Sequence, residues 1–278
     1  MINVLRAQFY RLMRSVAFWG LLVACAGVTI LMLVSVGMQY DGSTAYGTGA
    51  GYLPVSAPLV LSAEEYAGSA AMFVPLFTSL LAARFFSDDF AEKGCRVLDA
   101  GPGFRRAYVL SAGVLVAFTA LCFTVAELLV PFVVTPFFPL LDLTWDGGDT
   151  LRWVLQMVLV STVYGVLSVA ATVVTGKLGI AVLIAFLFGT GIVDLQVVSC
   201  AQAVWGELHT LGAVSGMPPF QLPPFGSPAG FSQWMPGGQL WGILSVGAAP
   251  TVTAMGIMVL QVVVALLLCW LVFRRKKV

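Results

Sequence analysis

Apolar residues run almost unbroken through six stretches of the chain: residues 17–38, 68–86, 107–130, 151–174, 178–198 and 251–273. A helix rising 1.5 Å per residue needs about 20 such residues to cross roughly 30 Å of hydrocarbon. The pattern predicts an all-α integral membrane protein with six transmembrane helices in one domain over residues 1–278. Pro75 predicts a kink in the second span, and the third is expected to end near Pro131. Residues 175–177 make a very short turn between the fourth and fifth spans.

The stretches between the spans differ in kind. Residues 39–67 are rich in Gly, Ser, Tyr and Pro, as expected of an external loop. Residues 199–250 carry proline, glycine and tryptophan but one formal charge, Glu207. A soluble loop would be more polar, so this segment is expected to re-enter the outer leaflet as short helices. At the N-terminus, Ile2, Leu5, Phe9, Leu12, Met13 and Val16 recur at helical spacing among Arg6, Arg11 and Arg14. The pattern fits an interfacial helix in the inner headgroup layer or the basic flank of the first span. Residues 22–25 resemble a lipoprotein cleavage box, but the apolar run continues where a mature lipoprotein would show a polar tether.

Charge sets the orientation. Only 10% of residues are charged, against about 25% in soluble domains, and mean hydropathy is +0.96. With the N-terminus inside, six spans return the C-terminus inside, and every basic residue except Arg152 falls on the inner side. Trp19 and Trp270 then lie near the inner interface, and Trp145, Trp153 and Trp241 near the outer one. A net charge of +1 without a basic patch argues against nucleic acid as a partner. The five cysteines form no CxxC pair and His209 is the only histidine, so no metal or disulfide framework is expected.

Candidate chemistry is sparse. Residues 174–178 are the nearest approach to a P-loop, but Ala171 replaces the first glycine and Leu178 the Ser or Thr that would hold Mg²⁺. If ATP drives this protein, another chain binds it. Glu64-Glu65 resembles the glutamate pair of intramembrane CAAX-type proteases, but Ser69 stands where that family has arginine; the pair reads as a polar cap before the second span. Glu127 and Asp194 lie near the outer ends of their spans. Each is either a headgroup-level carboxylate with access to water or part of a substrate path or subunit seam. Ser161 and Gly165, with Ser168, Thr172 and Gly176, give the four-residue spacing that lets helices approach closely, within the bundle or between two permeases.

The charge concentrated between the second and third spans is the most informative feature. Ser87-Asp88-Asp89 reads as the N-terminus of a short surface helix over residues 88–98. Phe86, Phe90, Val97 and Leu98 make a partial apolar stripe, and Asp89, Glu92, Lys93 and Arg96 are free for water or a partner. Gly101-Pro102-Gly103 is expected to stop this helix, and Arg105 and Arg106 open the next span on the cytosolic side. Pushing such an elbow would tilt both spans.

At these residues the chain resembles the six-span permeases of the ABC-2 type. Their loop between spans 2 and 3 runs acid, Gly-small, Gly or Pro turn, then Arg. Here Asp88 or Asp89, Glu92, Gly94 with Cys95, Gly101-Pro102, and Arg105 or Arg106 occupy those places. Cys95 stands where threonine is common, and Ser111 or Ala112 where lysine often follows the arginine. The N-terminal helix, the outer segment and the basic C-terminus add to the resemblance.

The resemblance implies a membrane subunit without enzymatic activity of its own. It would work as a homo- or heterodimer with a second permease and two copies of an ABC ATPase subunit that binds ATP and Mg. The elbow, with Lys93 and Arg96, would be the contact. The expected location is a bacterial cytoplasmic membrane with both termini cytosolic, and the expected substrate an amphiphile such as an antimicrobial peptide, drug or lipid-like molecule. The competing classes are a non-transporting anchor or sensor subunit of an ATPase complex, and a secondary carrier, which would need several polar groups at mid-membrane depth.

Overall fold

The computed structural model describes residues 2–42, 59–68, 70–91, 102–138, 141–215, 234–237 and 252–275. The elements in chain order are α1 (Ile2–Arg14), α2 (Val16–Gly42), β1 (Leu59–Ser62), α3 (Ala63–Gly68), α4 (Phe73–Ala91), α5 (Pro102–Val134), a 3-10 turn (Thr135–Phe137), β2 (Leu141–Thr144), α6 (Gly147–Thr175), α7 (Leu178–Gly189), α8 (Ile192–Ser215) and α9 (Val252–Arg275). Among the described residues, α2, α5, α6 and α9 are long and apolar enough to cross a membrane, and the bent pair α7–α8 adds a fifth crossing if it is one span. The chain is an α-helical, multi-pass membrane protein.

Its centre is α6, which packs against α4, α5, α7 and α9. The apolar window of α6 is 72% buried, against 22% for α2 and α9. Small residues make this possible. A Cβ placed on Gly165 would collide with the Val116 side chain of α5 and lie 3.2 Å from Thr78 Cγ2 of α4. One and two turns along, the Ser168 hydroxyl donates to the Tyr164 carbonyl and the Thr172 hydroxyl to the Ser168 carbonyl, both at 2.8 Å. Hydroxyls turned back onto their own helix can be buried without a partner across the seam. Ser161 and Gly165 are both buried within the chain, at the seam of α6 with its neighbours.

α4 lies beside α6 and is enclosed, with Val74, Thr78, Leu81, Ala82, Phe85 and Phe86 all buried. It begins at Phe73 and runs to Ala91, five residues later at each end than expected. Pro75 falls in its first turn, where a missing N–H breaks no helical bond. The expected mid-span kink gives way to a helix start. α7 approaches α4 so closely that a Cβ on Gly189 would be 2.6 Å from Leu76 Cα.

Immediately after that contact the expected fifth span breaks. Gly191 takes φ +70°, and α7 and α8 meet at a bend of 58°. Positive φ costs glycine little and other residues much. α8 then continues to Ser215, past the expected boundary at 198. Of the predicted outer segment, residues 216–233 and 238–250 lie outside the described residues.

Two further differences concern the loops. β1 and β2, in stretches read as loops, pair in parallel with Leu59 opposite Leu141 and Ser62 opposite Thr144. Four-residue strands are too short to show a period. Ser62 and Glu65 form a capping box, with Ser62 N donating to Glu65 Oε2 at 2.7 Å and Glu65 N to Ser62 Oγ at 3.3 Å. The glutamate cap thus belongs to α3 rather than to the second span. α5 passes through Pro131 to Val134, and Thr135 Oγ1 donates to the Pro131 carbonyl at 2.8 Å. Trp153, expected in an outer aromatic belt, is turned inward and buried, whereas Trp145 is exposed.

Ring contacts gather three helix ends. Phe86 of α4 lies 5.9 Å from Tyr108 of α5, and Tyr108 lies 5.6 Å from Phe273 of α9. This is the arginine-rich end of the bundle; β1 and β2 mark the other. α1 is a separate helix docked at the arginine-rich end, turning Val4, Gln8 and Leu12 inward and leaving Ile2, Phe9 and Tyr10 exposed. Part of the predicted apolar face therefore points away from the protein, and a glutamine takes its place inside.

Gly165→Leu is expected to overpack the α4–α5–α6 contact and destabilise the fold by about 1–3 kcal/mol or more. A thermal unfolding series in detergent, with exposed Gly20→Leu as control, checks this. Equal melting temperatures for the two variants would show that the seam tolerates a side chain.

Candidate functional site

The elbow begins inside a helix. α4 extends through Ala91, so Ser87, Asp88 and Asp89 occupy its last turns and do not open a new helix as expected. Acids at the negative end of a helix dipole are unfavourable, and here each has a cation. Arg84 Nη1 lies 3.1 Å from Asp88 Oδ1, one turn back and exposed. Asp89 is mostly covered and pairs with Arg11 of α1, while Tyr108 Oη donates to its second oxygen at 2.6 Å. Arg11 also lies over the Phe85 ring at 4.9 Å. One carboxylate thereby joins α1, α4 and α5.

The structure places the remaining predicted elbow residues as follows. Arg105 is half-buried and Arg106 exposed, both in the first turns of α5, and Pro102 starts α5 as its first residue. The Phe90 side chain and Glu92, Lys93, Gly94, Cys95, Arg96, Val97 and Leu98 lie outside the described residues. Pro102 and Gly103 therefore begin a helix, where proline's fixed φ is favourable. Arg11 and Tyr108 were missed by sequence reading because nothing local shows that they meet Asp89 across the fold.

A second polar node lies deep between the helices. Tyr164, roughly 26 Å along α6, donates through its hydroxyl to Asp194 Oδ2 of α8. Gly237 N donates to the same oxygen at 2.7 Å. Gln261 Nε2, roughly 13 Å into α9, donates to the Trp234 carbonyl at 2.5 Å. Residues 234–237 thus meet α8 and α9 well below the start of α9, and share the Asp194 carboxylate with Tyr164 of α6. Gly237 has to be small, since a Cβ there would lie 2.7 Å from Asp194 Cβ. Asp194 is half-buried and bonded at the depth of Tyr164. A tyrosine in an otherwise Val- and Ser-rich span was the available signal, since buried phenols find partners.

Glu127 is likewise enclosed. It is 0% exposed, and the Cys25 thiol of α2 donates to its Oε1 at 3.8 Å. Its Oε2 has no partner among the described residues. The water-accessible reading does not hold for Glu127, which is fully enclosed. Helix phase explains why, since Phe123, Glu127 and Val130 share the face that α2 covers.

The arrangement offers a charged junction at one end, a carboxylate-centred anchor in the middle, and an enclosed acid between α2 and α5. The chain matches no protein-family model and is similar to no curated protein. The geometry defines it as a multi-pass, helical, membrane-embedded protein with polar groups drawn into its interior at two helix seams.

Removing either partner of the deep node should show the bond. In a double-mutant cycle, Tyr164→Phe and Asp194→Asn are expected to couple by about 0.6–1.7 kcal/mol, the range for hydrogen bonds inside membrane proteins. Additive losses in an unfolding titration would place the two groups out of contact.

Proposed function

We propose that this chain is the six-span permease subunit of an ATP-binding cassette exporter. The six crossings are the four long apolar helices, the bent pair α7–α8 as one, and α4, whose 19 residues reach about 28 Å. The arginine-rich end faces the cytosol, since it carries Arg11, Arg84, Arg105, Arg106 and Arg274. Both termini are cytosolic in this arrangement, and the location is a bacterial cytoplasmic membrane. Residues 234–237 belong to a re-entrant segment of the outer side in this reading.

The observation that carries the reading is the Asp89 junction. An ATPase that pushes the elbow at Asp88, Asp89 and Glu92 pushes the end of α4. Asp89 passes that displacement to α1 through Arg11 and to α5 through Tyr108. Tyr108 in turn leans on Phe273 of α9. Four helices are thereby linked to one point of input, as a subunit driven from outside itself requires. Two ATPase copies and a second permease complete the complex, with ATP and Mg held by the ATPase. The substrate class is an amphiphile leaving along the permease dimer.

Co-expression with candidate ATPases, gentle purification and transport into inverted vesicles test the reading. An ATPase should co-purify, and Asp89→Lys with Glu92→Lys should lower transport per ATP hydrolysed by about tenfold or more without reducing membrane insertion. Co-purification without transport of any amphiphile would favour an anchor or sensor subunit. Absence of any ATPase partner would overturn the proposal.

A further inference from the structure

Two guanidinium groups meet over one indole at the arginine-rich end. Arg106 of α5 lies 5.8 Å from the centre of the Trp270 ring, and Arg274, one turn beyond Trp270 on α9, lies 5.6 Å from it. Both arginines are exposed, and among the described residues neither forms an ion pair. Arginine keeps its charge under all ordinary conditions, so two like charges are held around one ring. Arg106 also stands near the positive end of the α5 dipole, in a helix whose first turn has no acid. Each cation is attracted to the ring, and an anion close to both would offset the repulsion between them.

The surface leading from this pair is apolar. α5 and α9 run antiparallel: Arg106 meets Trp270, Tyr108 meets Phe273, and Gly113 faces Leu266, to which a Cβ would come within 2.7 Å. At 100° per residue, Leu110 and Val114 on α5 turn to the same side of this seam as Val263 and Leu267 on α9. All four are about half exposed, at 46–53%. A trough therefore begins at the arginines and runs along the seam into the apolar length of both helices.

We propose that this is a binding site for an anionic phospholipid of the leaflet at the arginine-rich end. The phosphate sits between the guanidiniums of Arg106 and Arg274, whose planar forks match its oxygens. The Trp270 ring covers the ester region, and one acyl chain lies in the trough. The occupant follows from the pairing of features. A soluble phosphate would use the arginines and leave the trough empty, and a partner helix would use the trough and leave the two cations without an anion. A zwitterionic lipid would bring its own cation toward the pair. The inference rests on membrane embedding and geometry, independent of ATPase coupling.

Native mass spectrometry of the full chain, delipidated in mild detergent, tests it with phosphatidylglycerol, phosphatidylcholine and inorganic phosphate as probes. One phosphatidylglycerol should be retained about thirty-fold more tightly than phosphatidylcholine, and Arg106→Gln with Arg274→Gln should remove that preference. Val114→Ser with Leu267→Ser should weaken lipid retention with both arginines intact. Arg152→Gln should change nothing. Equal retention of the two lipids by the unmodified chain would overturn the proposal, and this comparison needs no variant to fold. Displacement of the lipid by inorganic phosphate at matched concentration would also overturn it, in favour of a soluble-anion site. So would a preference unchanged in the double arginine variant.

Discussion

The bundle depends on the close approach of α6 to α4 and α5 at Gly165. In hydrocarbon there is no hydrophobic gain from joining two apolar helices, so association relies on van der Waals contact, which needs backbones near each other. With Val116 and the Thr78 methyl filling the space where a side chain would stand, α6 can touch four neighbouring helices. Gly189 against Leu76 and Gly113 against Leu266 repeat the device at α4–α7 and α5–α9. Among these, Gly165 serves two helix pairs at once, and Gly189 brings a side-chain-free position against the Leu76 backbone.

Polar groups are then placed where this packing leaves helix ends or breaks. Asp89 lies at the end of α4, where its charge opposes the dipole, and Arg11 and Tyr108 turn that cost into a tie between three helices. Asp194 lies just after the α7–α8 break and holds Gly237 and Tyr164. The acids thus serve as fasteners at discontinuities, one at the arginine-rich end and one in the interior. In the proposed permease, the end that carries the ties would receive the push, and the interior node would hold residues 234–237 beside the substrate's path.

The arginine-rich end combines two kinds of contact within a short distance. Tyr108 lies between Asp89 and Phe273, while Arg106, half a turn away, shares Trp270 with Arg274. A lipid phosphate on the arginine pair would therefore lie next to the linkage between the elbow and α9. Bilayer composition and elbow position would act on neighbouring groups of the same helix.

Much of the membrane character was legible in the linear order of residues. Hydropathy marks α2, α5, α6 and α9 because a span needs an unbroken apolar length, and the small-residue spacing at Ser161 and Gly165 marks a close helix seam. Local chemistry foretold the Gly176 turn and a glutamate cap near residue 65. Tertiary structure alone decided which residues meet. Asp88 and Asp89 end α4 rather than start a helix, because Arg84 and Arg11 stabilise acids where the dipole would not. Glu127 is enclosed because α2 covers it, and Asp194 is partly covered by residues 234–237 and α6. The bend at Gly191 is invisible to hydropathy, since both halves are apolar and only the contacts at Gly189 and Asp194 distinguish them. Composition and periodicity determine what a segment can be immersed in; long-range contacts determine which charges it can carry there.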